Sequence, residues 1–326
     1  MRPDLILLIA AAVCAVAFAA VMLINPRSTA QEARGDYRLR YGYDNIVEFD
    51  GIKYRQRKQI TTILLLGVDR DTDTEDREGY YNGGMADFQR LIVVDSESNT
   101  VHQIQIDRDT MTPITMVGPL GDELGEAVRQ ICMAHSYGDG KELSCKYAVK
   151  AVSEFLLNAP VDYYISLKMD GISTLNDLVG GVTVTLEEDF SDIDPEMTMG
   201  KTIKLVGDQA ETFVRRRRDV GDGTNVSRMR RQQQFMNALS AELNRRFSAD
   251  KNYVGEVYDA LEDYMFTNIS RGMLINEVWK ARKFQRPAII DIPGTHTVND
   301  NNNMEFVADD RAVKEIVLKL FYEPLK

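Results

Sequence analysis

The sequence predicts a layered α/β domain around a mixed β-sheet, preceded by a single transmembrane helix. Three observations indicate this fold class. Short apolar segments of strand length alternate along the chain with amphipathic segments of helix length. An uncharged apolar run covers residues 5–24. The chain has 326 residues, 44% of them apolar, with only 22 glycines and 9 prolines, and can therefore bury a sizeable core.

Composition argues against several classes of protein. The chain has 39 basic and 50 acidic side chains, a formal net charge of −11. General nucleic-acid binders gain much of their affinity from basic groups that neutralise phosphates, so we expect no nucleic-acid partner. The 3 cysteines are too few for a disulfide scaffold.

The run 5–24 has the length that a helix needs to cross a hydrocarbon core of ~30 Å. A cleavable signal peptide is the alternative, with Ser28-Thr29-Ala30 as its cleavage site. We favour a retained anchor, because the apolar part of a signal peptide usually spans only ~7–15 residues. Charges on both sides of the run leave its orientation open. The expected division is an N-terminus at 1–4, the anchor at 5–24, a juxtamembrane segment at 25–59 and the folded domain at 60–326.

A short strand pair is expected within the juxtamembrane segment, around Asp50-Gly51. The first half of the folded part is predicted to form strands. The apolar run 63–66, ended by Gly67, predicts a buried central strand. Residues 91–94 and 101–106 flank a polar turn and predict a β-hairpin.

The second half alternates strands and helices. We expect further strands at 162–167, 182–186 and 288–292, and helices at 171–179, 227–247 and 311–321. Gly180-Gly181 ends the first of these helices. In the longest one, Leu239 and Leu243 lie on a mostly apolar stripe and Arg231 faces away from it.

Acidic residues follow the predicted central strand. Asp69 comes directly after it, and Asp87 follows Gly83-Gly84. Open α/β sheets bind ligands at the carboxyl ends of their strands, and one or two carboxylates completed by phosphate oxygens are a usual way to bind Mg²⁺. A solvated acidic loop is the alternative interpretation.

Basic residues gather later in the chain, with seven arginines between positions 215 and 231. On an extended segment Arg215 and Arg217 would share a face, and Arg228 and Gln232, four apart, would share a helix face. Guanidinium groups suit phosphate oxygens. The alternatives are a surface stripe paired to carboxylates and a surface for anionic lipid.

Arg108 adds a third element, because it follows the strand predicted at 101–106. Carboxylates, arginines and strand ends together predict a site for a polyanion and a metal, which is what phosphoryl transfer needs.

Three other residues have less specific interpretations. His135 is interpreted as a packed or capping histidine. Cys132 and Cys145 are either a disulfide pair, if the domain is extracytoplasmic, or two buried thiols.

The order of these segments resembles that of the LytR–CpsA–Psr proteins, glycopolymer ligases of the bacterial cell envelope. The matching segments, in chain order, are Ile63-Leu64-Leu65-Leu66-Gly67-Val68-Asp69, Gly84-Met85-Ala86-Asp87, Ile106-Asp107-Arg108-Asp109-Thr110, Ala134-His135-Ser136-Tyr137-Gly138, Val161-Asp162-Tyr163-Tyr164, Leu178-Val179-Gly180-Gly181-Val182, Gly207-Asp208-Gln209-Ala210, Val214-Arg215-Arg216-Arg217 and Ser227-Arg228-Met229-Arg230-Arg231-Gln232-Gln233. They cover about residues 60–325.

The resemblance implies a mixed central β-sheet sandwiched between helical layers, with a hydrophobic tunnel for a lipid. The implied activity is transfer of an anionic glycopolymer, such as teichoic acid or a capsular or wall polysaccharide, from a polyprenyl diphosphate carrier to peptidoglycan. The phosphodiester would form at the C6 hydroxyl of N-acetylmuramic acid. A cytoplasmic N-terminus, a single-pass anchor in the cell membrane and an extracytoplasmic catalytic domain are also implied.

The resemblance also implies a role for each matched residue. Asp69 and Asp87 would bind Mg²⁺, with Mn²⁺ as the alternative ion, and one of them would assist deprotonation of the acceptor. Arg108, Arg215 and Arg217 would bind the diphosphate oxygens. The same pocket would also be lined by Arg228 and Gln232.

Three positions depart from the family pattern. Met85 replaces an arginine, Asp107 a proline and Asn225 an aspartate. They put catalytic efficiency in question more than the fold. Two further hypotheses therefore stand beside transfer: a polyprenyl diphosphate hydrolase with water as acceptor, and a noncatalytic lipid- or polymer-binding scaffold or regulator of the envelope.

Overall fold

The computed structural model describes residues 46–69, 83–118, 120–168, 171–216, 220–221, 225–300 and 303–325. The predicted anchor at 5–24 lies outside these residues, as do most of the juxtamembrane segment and the acidic loop after Asp69. Among the helices of the described ranges, none combines the length and the hydropathy that crossing a membrane requires.

The described residues form strands and helices throughout the domain. The strands are β1 Ile46–Phe49, β2 Ile52–Gln56, β3 Ile60–Asp69, β4 Met85–Asp95, β5 Thr100–Ile106, β6 Met111–Val117, β7 Glu123–Gln130, β8 Tyr163–Lys168, β9 Thr183–Thr185, β10 Thr202–Lys204, β11 Met265–Thr267, β12 Ile290–Asp291, β13 Gly294–Val298, β14 Met304–Ala308 and β15 Tyr322–Pro324. The helices are α1 Met133–Ser136, α2 Glu142–Phe155, α3 Gly171–Leu178, α4 Asp208–Arg215, α5 Asn225–Ala249, α6 Tyr253–Ala260, α7 Arg271–Ala281 and α8 Asp310–Phe321, with a 3₁₀ turn at Glu262–Tyr264.

The central sheet has six strands in the order β11-β8-β3-β4-β5-β12. Strand β3 is parallel to β8 and antiparallel to β4, and β5 is parallel to β12. The sheet is therefore mixed, as predicted. The apolar run 63–66 lies in its middle, where both faces are covered and a continuous apolar sequence is stable.

Helices cover both faces of this sheet. Because side chains alternate along a strand, Ile63 and Leu65 pack into one apolar cluster while Leu64 and Leu66 pack into the other. Helices α3 to α7 contribute to the first cluster, and α1, α2 and α8 to the second. A mixed sheet between two helical layers is thus confirmed.

One local difference from the prediction matters for the site. Gly67 does not end the strand, and β3 runs on to Asp69. The pairing with β4 shifts there, because Gly67 lies opposite Phe88 but Val68 lies opposite Ala86. Asp87 is the extra residue of this β-bulge, a feature that re-aims side chains at the ends of sheets.

The strand pair expected at Asp50-Gly51 is confirmed. Both turn residues have positive φ, 49° and 77°, and they join β1 to β2. Strand β2 also pairs with β15, so the chain end completes a second sheet of three strands.

Candidate functional site

Asp87 and Arg108 form an ion pair at the end of the central sheet. Nη1 of Arg108 lies 2.6 Å from Oδ1 of Asp87, and the side chains are 35% and 15% exposed. Asp87 is at the bulge of β4, and Arg108 follows β5, the antiparallel neighbour of β4. The sequence predicted both residues for one site, and the structure brings them together.

Asp109 flanks Arg108 on its other side. The Nε of Arg108 lies 3.4 Å from Oδ1 of Asp109, which also accepts a hydrogen bond of 2.8 Å from Nε2 of Gln130. Burial raises the pKa of the Asp109 carboxyl, and the charge of Arg108 offsets part of that rise. Burial acts to lower the pKa of Arg108, but Cys132 and the two aspartates outweigh it and the net shift is upward. Arg108 therefore stays charged.

The backbone of Cys132 connects the loop that carries Arg108 to the start of β4, which carries Asp87. Its N–H donates to the carbonyl of Arg108 at 3.2 Å, and its carbonyl accepts from the N–H of Ala86 at 3.1 Å. Burial raises the pKa of the Cys132 thiol to about 12, so it is neutral at physiological pH. The charge of Arg108 acts to lower the pKa of the Cys132 thiol. Cys132 and Cys145 are both free, which settles the question of a disulfide that the sequence left open.

Asp107, the residue in the place of a proline, stabilises the loop that carries Arg108. One of its carboxylate oxygens accepts the N–H of Asp109 at 2.8 Å, and the other lies 2.9 Å from Nε2 of His296 on β13. The carboxylate of Asp107, which a proline would lack, therefore has a hydrogen-bonding partner on β13. Met85, in the place of an arginine, is 43% exposed, and its sulfur lies 3.7 Å from Nη2 of Arg108.

The second predicted metal ligand is described only through its backbone. Asp69 is the last residue of β3 and lies opposite Met85 in the register. The two aspartates thus belong to adjacent strands at the same end of the sheet. In the part of the chain that the structure describes, no group of three or more histidine, cysteine or acidic side chains is placed to bind a metal.

The arginine-rich segment differs from the prediction. Arg215 is the last residue of α4 rather than part of an extended strand, and its Nη1 lies 2.7 Å from Oε1 of Glu211, one turn earlier. The helix forms because Ala210, Phe213 and Val214 have helical spacing and are buried. The extended segment expected at Arg215 was therefore wrong, and a shared face of Arg215 and Arg217 stays a prediction. Arg217 lies outside the described residues, as do the side chains of Arg228 and Gln232 on α5.

Arg231, which the sequence placed on an outward face, is buried at 3% exposure. Its Nε donates to the carbonyl of Phe213 at 2.9 Å, and the guanidinium also contacts the carbonyl of Arg216 and the carboxylate of Glu188. Arg231 therefore ties α5 to the end of α4, where the arginine segment begins. A spacing of four to the buried residues Ser227 and Phe235 is the sequence pattern that could have revealed it.

The model of the LytR_cpsA_psr family matches residues 27–321. A relative from Bacillus mycoides (strain KBAB4), named polyisoprenyl-teichoic acid–peptidoglycan teichoic acid transferase TagU, is 28% identical over 265 residues, which are 81% of this chain and 79% of that protein. A relative of the same name from Bacillus cereus (strain ATCC 14579) is 30% identical over 220 residues, 68% of this chain and 64% of that protein.

Solved structures share the fold. Protein gbs0355 from Streptococcus agalactiae has a TM-score of 0.57 and 21% identity, covering 82% of this chain and 91% of its own. Bacillus subtilis TagV has a TM-score of 0.54 and 22% identity, covering 81% and 96%. A structure of TagT bound to LI-WTA has a TM-score of 0.53 and 21% identity, covering 90% and 98%.

Proposed function

Since the chain belongs to the LytR_cpsA_psr family, we propose that it is a membrane-anchored phosphotransferase that attaches an anionic glycopolymer to peptidoglycan. The donor is the polymer on a polyprenyl diphosphate carrier. The names of the TagU relatives support teichoic acid as the class of polymer and peptidoglycan as the acceptor.

The observation that carries this proposal is the contact of Asp87 with Arg108 at the bulged edge of the sheet. An acidic group and a guanidinium are there held side by side on two neighbouring strands. A carboxylate can accept the proton of an attacking hydroxyl, and a guanidinium can neutralise the non-bridging oxygens of a phosphate. Phosphoryl transfer requires both functions within one site.

In the proposed reaction, the acceptor hydroxyl oxygen attacks the phosphorus that bears the polymer. A new P–O bond to the acceptor forms, and the P–O bond to the carrier phosphate breaks and leaves polyprenyl phosphate. The acceptor proton passes to a carboxylate, Asp87 or Asp69. Arg108, with Arg215 and Arg217 from the basic segment, binds the diphosphate oxygens, and Arg228 and Gln232 line the same pocket.

Asp69 and Asp87 are the residues that would bind Mg²⁺, with Mn²⁺ as the alternative. Their chemistry fits, because Mg²⁺ in such sites takes one or two carboxylates and completes its shell with phosphate oxygens and water. The backbone register supports the pairing, since Asp69 lies opposite Met85, two residues before Asp87. The ion would neutralise charge on the diphosphate during transfer.

The proposed location is the cell membrane, with one span at residues 5–24 and the domain on the extracytoplasmic side. The span rests on the length of the apolar run, and the side rests on the family resemblance. Fractionation of the full chain, combined with protease access to the domain in intact cells, tests both.

Asp87→Asn and Arg108→Gln test the site directly. We expect each to lower kcat for transfer of labelled polymer from its lipid carrier to soluble glycan strands by about 100-fold, because each removes a charge that acts in the transition state. Asp259→Asn and Arg245→Gln are matched controls, since both side chains are exposed, lie on helices and pair with residues other than Asp87 and Arg108. Wild-type rates in the site variants would refute the assignment.

The second candidate is a noncatalytic binder of the lipid or polymer. It is favoured by the replacement of a family arginine by Met85 next to the Asp87–Arg108 pair. Retained binding of a polyprenyl diphosphate without turnover, in the presence of Mg²⁺ or Mn²⁺, would support it. Release of phosphate-containing products without a glycan acceptor would instead indicate hydrolysis.

A further inference from the structure

A cavity of about 250 Å³ lies at the carboxyl ends of β3 and β8. Its inner part is formed by buried groups, among them Val68, His135 and Ser166. Tyr264 and Phe266 add aromatic surface from the 3₁₀ turn and β11. The cavity is separate from the Asp87–Arg108 contact, since neither of those residues lines it.

The cavity is nonetheless close to that contact along the chain. Nδ1 of His135 donates to the carbonyl of Gly84 at 3.0 Å, and Val68 lies opposite Ala86. Gly84 and Asp87 are three residues apart, so their Cα atoms are at most ~11 Å from each other. A ligand seated in the cavity therefore lies beside the strand segment that carries the candidate catalytic carboxylate.

The innermost polar groups of the cavity satisfy one another. Because the Gly84 carbonyl can only accept, His135 has its proton on Nδ1, and its Nε2 faces the hydroxyl of Ser166 at 3.3 Å. Burial lowers the pKa of His135, which is therefore neutral at physiological pH. The inner wall is thus uncharged and held in place by hydrogen bonds.

The charges of the cavity lie nearer the surface and have both signs. Lys141, Lys168, Glu262 and Asp263 line it. Within the described ranges, no ion pair joins any of these four side chains to another residue.

We propose that this cavity binds the acceptor, a hydroxyl-rich glycan that carries carboxylates. The inference rests on the proposed function, since it names where the acceptor of that reaction is bound. Aromatic walls with a few polar groups at fixed positions are typical of ligand-binding pockets. The two lysines provide partners for the carboxylates of the glycan, while Glu262 and Asp263 accept hydrogen bonds from its hydroxyls.

The same charges disfavour the lipid of the donor. Four charged side chains make the cavity a poor site for a polyprenyl chain. The lipid tail of the donor therefore has a binding region apart from this cavity.

The first experiment measures binding of the acceptor glycan in the absence of polymer transfer. Soluble peptidoglycan fragments that retain their carboxylates are titrated into the protein and followed by NMR, with a neutral chitin oligosaccharide of equal length in parallel. We expect the peptidoglycan fragment to bind at least tenfold more tightly and to shift the ring resonances of Tyr264 and His135. Equal affinity of the two sugars, or no shift at these rings, would overturn the proposal.

The double variant Lys141→Gln/Lys168→Gln is then expected to weaken fragment binding at least tenfold and to raise the acceptor KM equally, with the donor KM unchanged. Lys146→Gln is the matched control, because this lysine lies on α2 near Lys141 but is exposed and pairs with Glu142 outside the cavity. Melting temperatures within error of wild type exclude a folding defect.

Different results would refute the proposed function and the assignment of the cavity to the acceptor. If the wild-type protein transfers no polymer but binds the fragment in a manner that the double variant loses, the proposed function is wrong and the cavity assignment stands. If the wild type transfers polymer and the double variant keeps both the fragment affinity and the acceptor KM, the cavity assignment is wrong. A rise in donor KM alone would also refute it, since the lysines would then belong to the donor site.

Discussion

Arg231 shows how a single buried charge organises the region of the site. Its guanidinium is satisfied by Glu188, by two backbone carbonyls and by Ser227, and it lies 5.3 Å from the centroid of the Phe190 ring. Such a group is stable only while all of its partners remain, because an unpaired charge in the interior is costly. The residue thus holds α4, α5 and the segment around Glu188 in one arrangement.

Arg231→Met is therefore expected to lower the free energy of unfolding by ~3–5 kcal/mol, since it leaves Glu188 without its buried partner. Urea denaturation measures the change. Arg230→Met, at an exposed position of the same helix, should change stability by less than ~0.5 kcal/mol. If the pair matters as described, Arg231→Met/Glu188→Leu recovers much of the loss, and no recovery would contradict it.

Cys132 is expected to affect activity more than stability. Cys132→Val keeps a similar volume and removes the sulfur that interacts with the charge of Arg108, so we expect kcat to fall about tenfold with little change in melting temperature. Cys145→Val is the control, because Cys145 is also a buried thiol whose pKa burial raises to about 12, but Arg108 is not among the groups that act on that pKa. Equal effects of the two substitutions on kcat would argue against a positioning role for Cys132.

At the scale of secondary-structure elements, the bulge in β4 decides where the acidic group lies. Ala86 belongs to one apolar cluster and Phe88 to the other, although in a regular strand residues two apart share a face. The change of side takes place at Asp87. A bulge therefore allows both neighbours to be buried while a charged residue stands between them at the edge of the site.

The carboxylate of Asp95 stabilises the β4–β5 turn, and its ionisation makes this stabilisation depend on pH. Oδ1 of Asp95 accepts the N–H groups of Glu97 and Ser98 at 2.9 and 3.1 Å, and Arg57 lies 3.8 Å from Oδ2. Burial acts to raise the pKa of this carboxyl, but the hydrogen bonds and Arg57 outweigh it, so its pKa is lower than usual. The ionised carboxylate therefore stabilises the folded state.

Because the folded pKa is depressed, this contribution is present above the unfolded pKa of ~3.9 and is lost as the pH falls through the folded value. Asp95→Ala should destabilise the protein at pH 7 by ~1–3 kcal/mol, and the difference should shrink below about pH 4. Urea denaturation between pH 7 and 3 measures it, with Glu97→Ala, an exposed neighbour, as control. A difference independent of pH would show that the charge is not involved.

At the scale of the whole molecule, two apolar clusters on opposite faces of one sheet account for the stability of the domain. His135 lies at the edge of the second cluster and connects the start of β4 to β8 through Gly84 and Ser166. Its burial lowers its pKa, so the folded protein resists taking up a proton there.

This predicts a loss of global stability in mildly acidic solution. The unfolded chain protonates the histidine near pH 6.5, whereas the folded chain does so only at lower pH, so stability falls as the pH decreases from about 6.5 toward the folded pKa. His135→Gln should flatten the plot of unfolding free energy against pH between 7.5 and 5.5. Burial also lowers the pKa of His102, so His102→Gln must be measured beside it to assign the slope. An unchanged slope in His135→Gln would contradict the assignment.

The pattern of side chains along the chain was sufficient for the class of fold. Residues 63–66 are a continuous apolar run of strand length ended by Gly67, and the long helix carries an apolar stripe with helical period, so both patterns favour the structure that is observed. The hairpin of β6 and β7 was missed, because most side chains of β7 are exposed and its sequence has no apolar alternation. Strand β15 was missed because its partner β2 is more than 260 residues away.

The features of the site are likewise of two kinds, those that the sequence determines and those that only the tertiary structure decides. The sequence by itself determined that Asp87 precedes and Arg108 follows the two strands of one hairpin, and because those strands are antiparallel, both residues reach the same edge of the sheet. Only the tertiary structure decided that Asp87 stands on a bulge, that Arg231 is buried, that Arg215 ends a helix, and that a cavity with charges of both signs lies next to the acidic edge. Each depends on contacts between residues far apart in the chain, and local periodicity carries no information about such contacts.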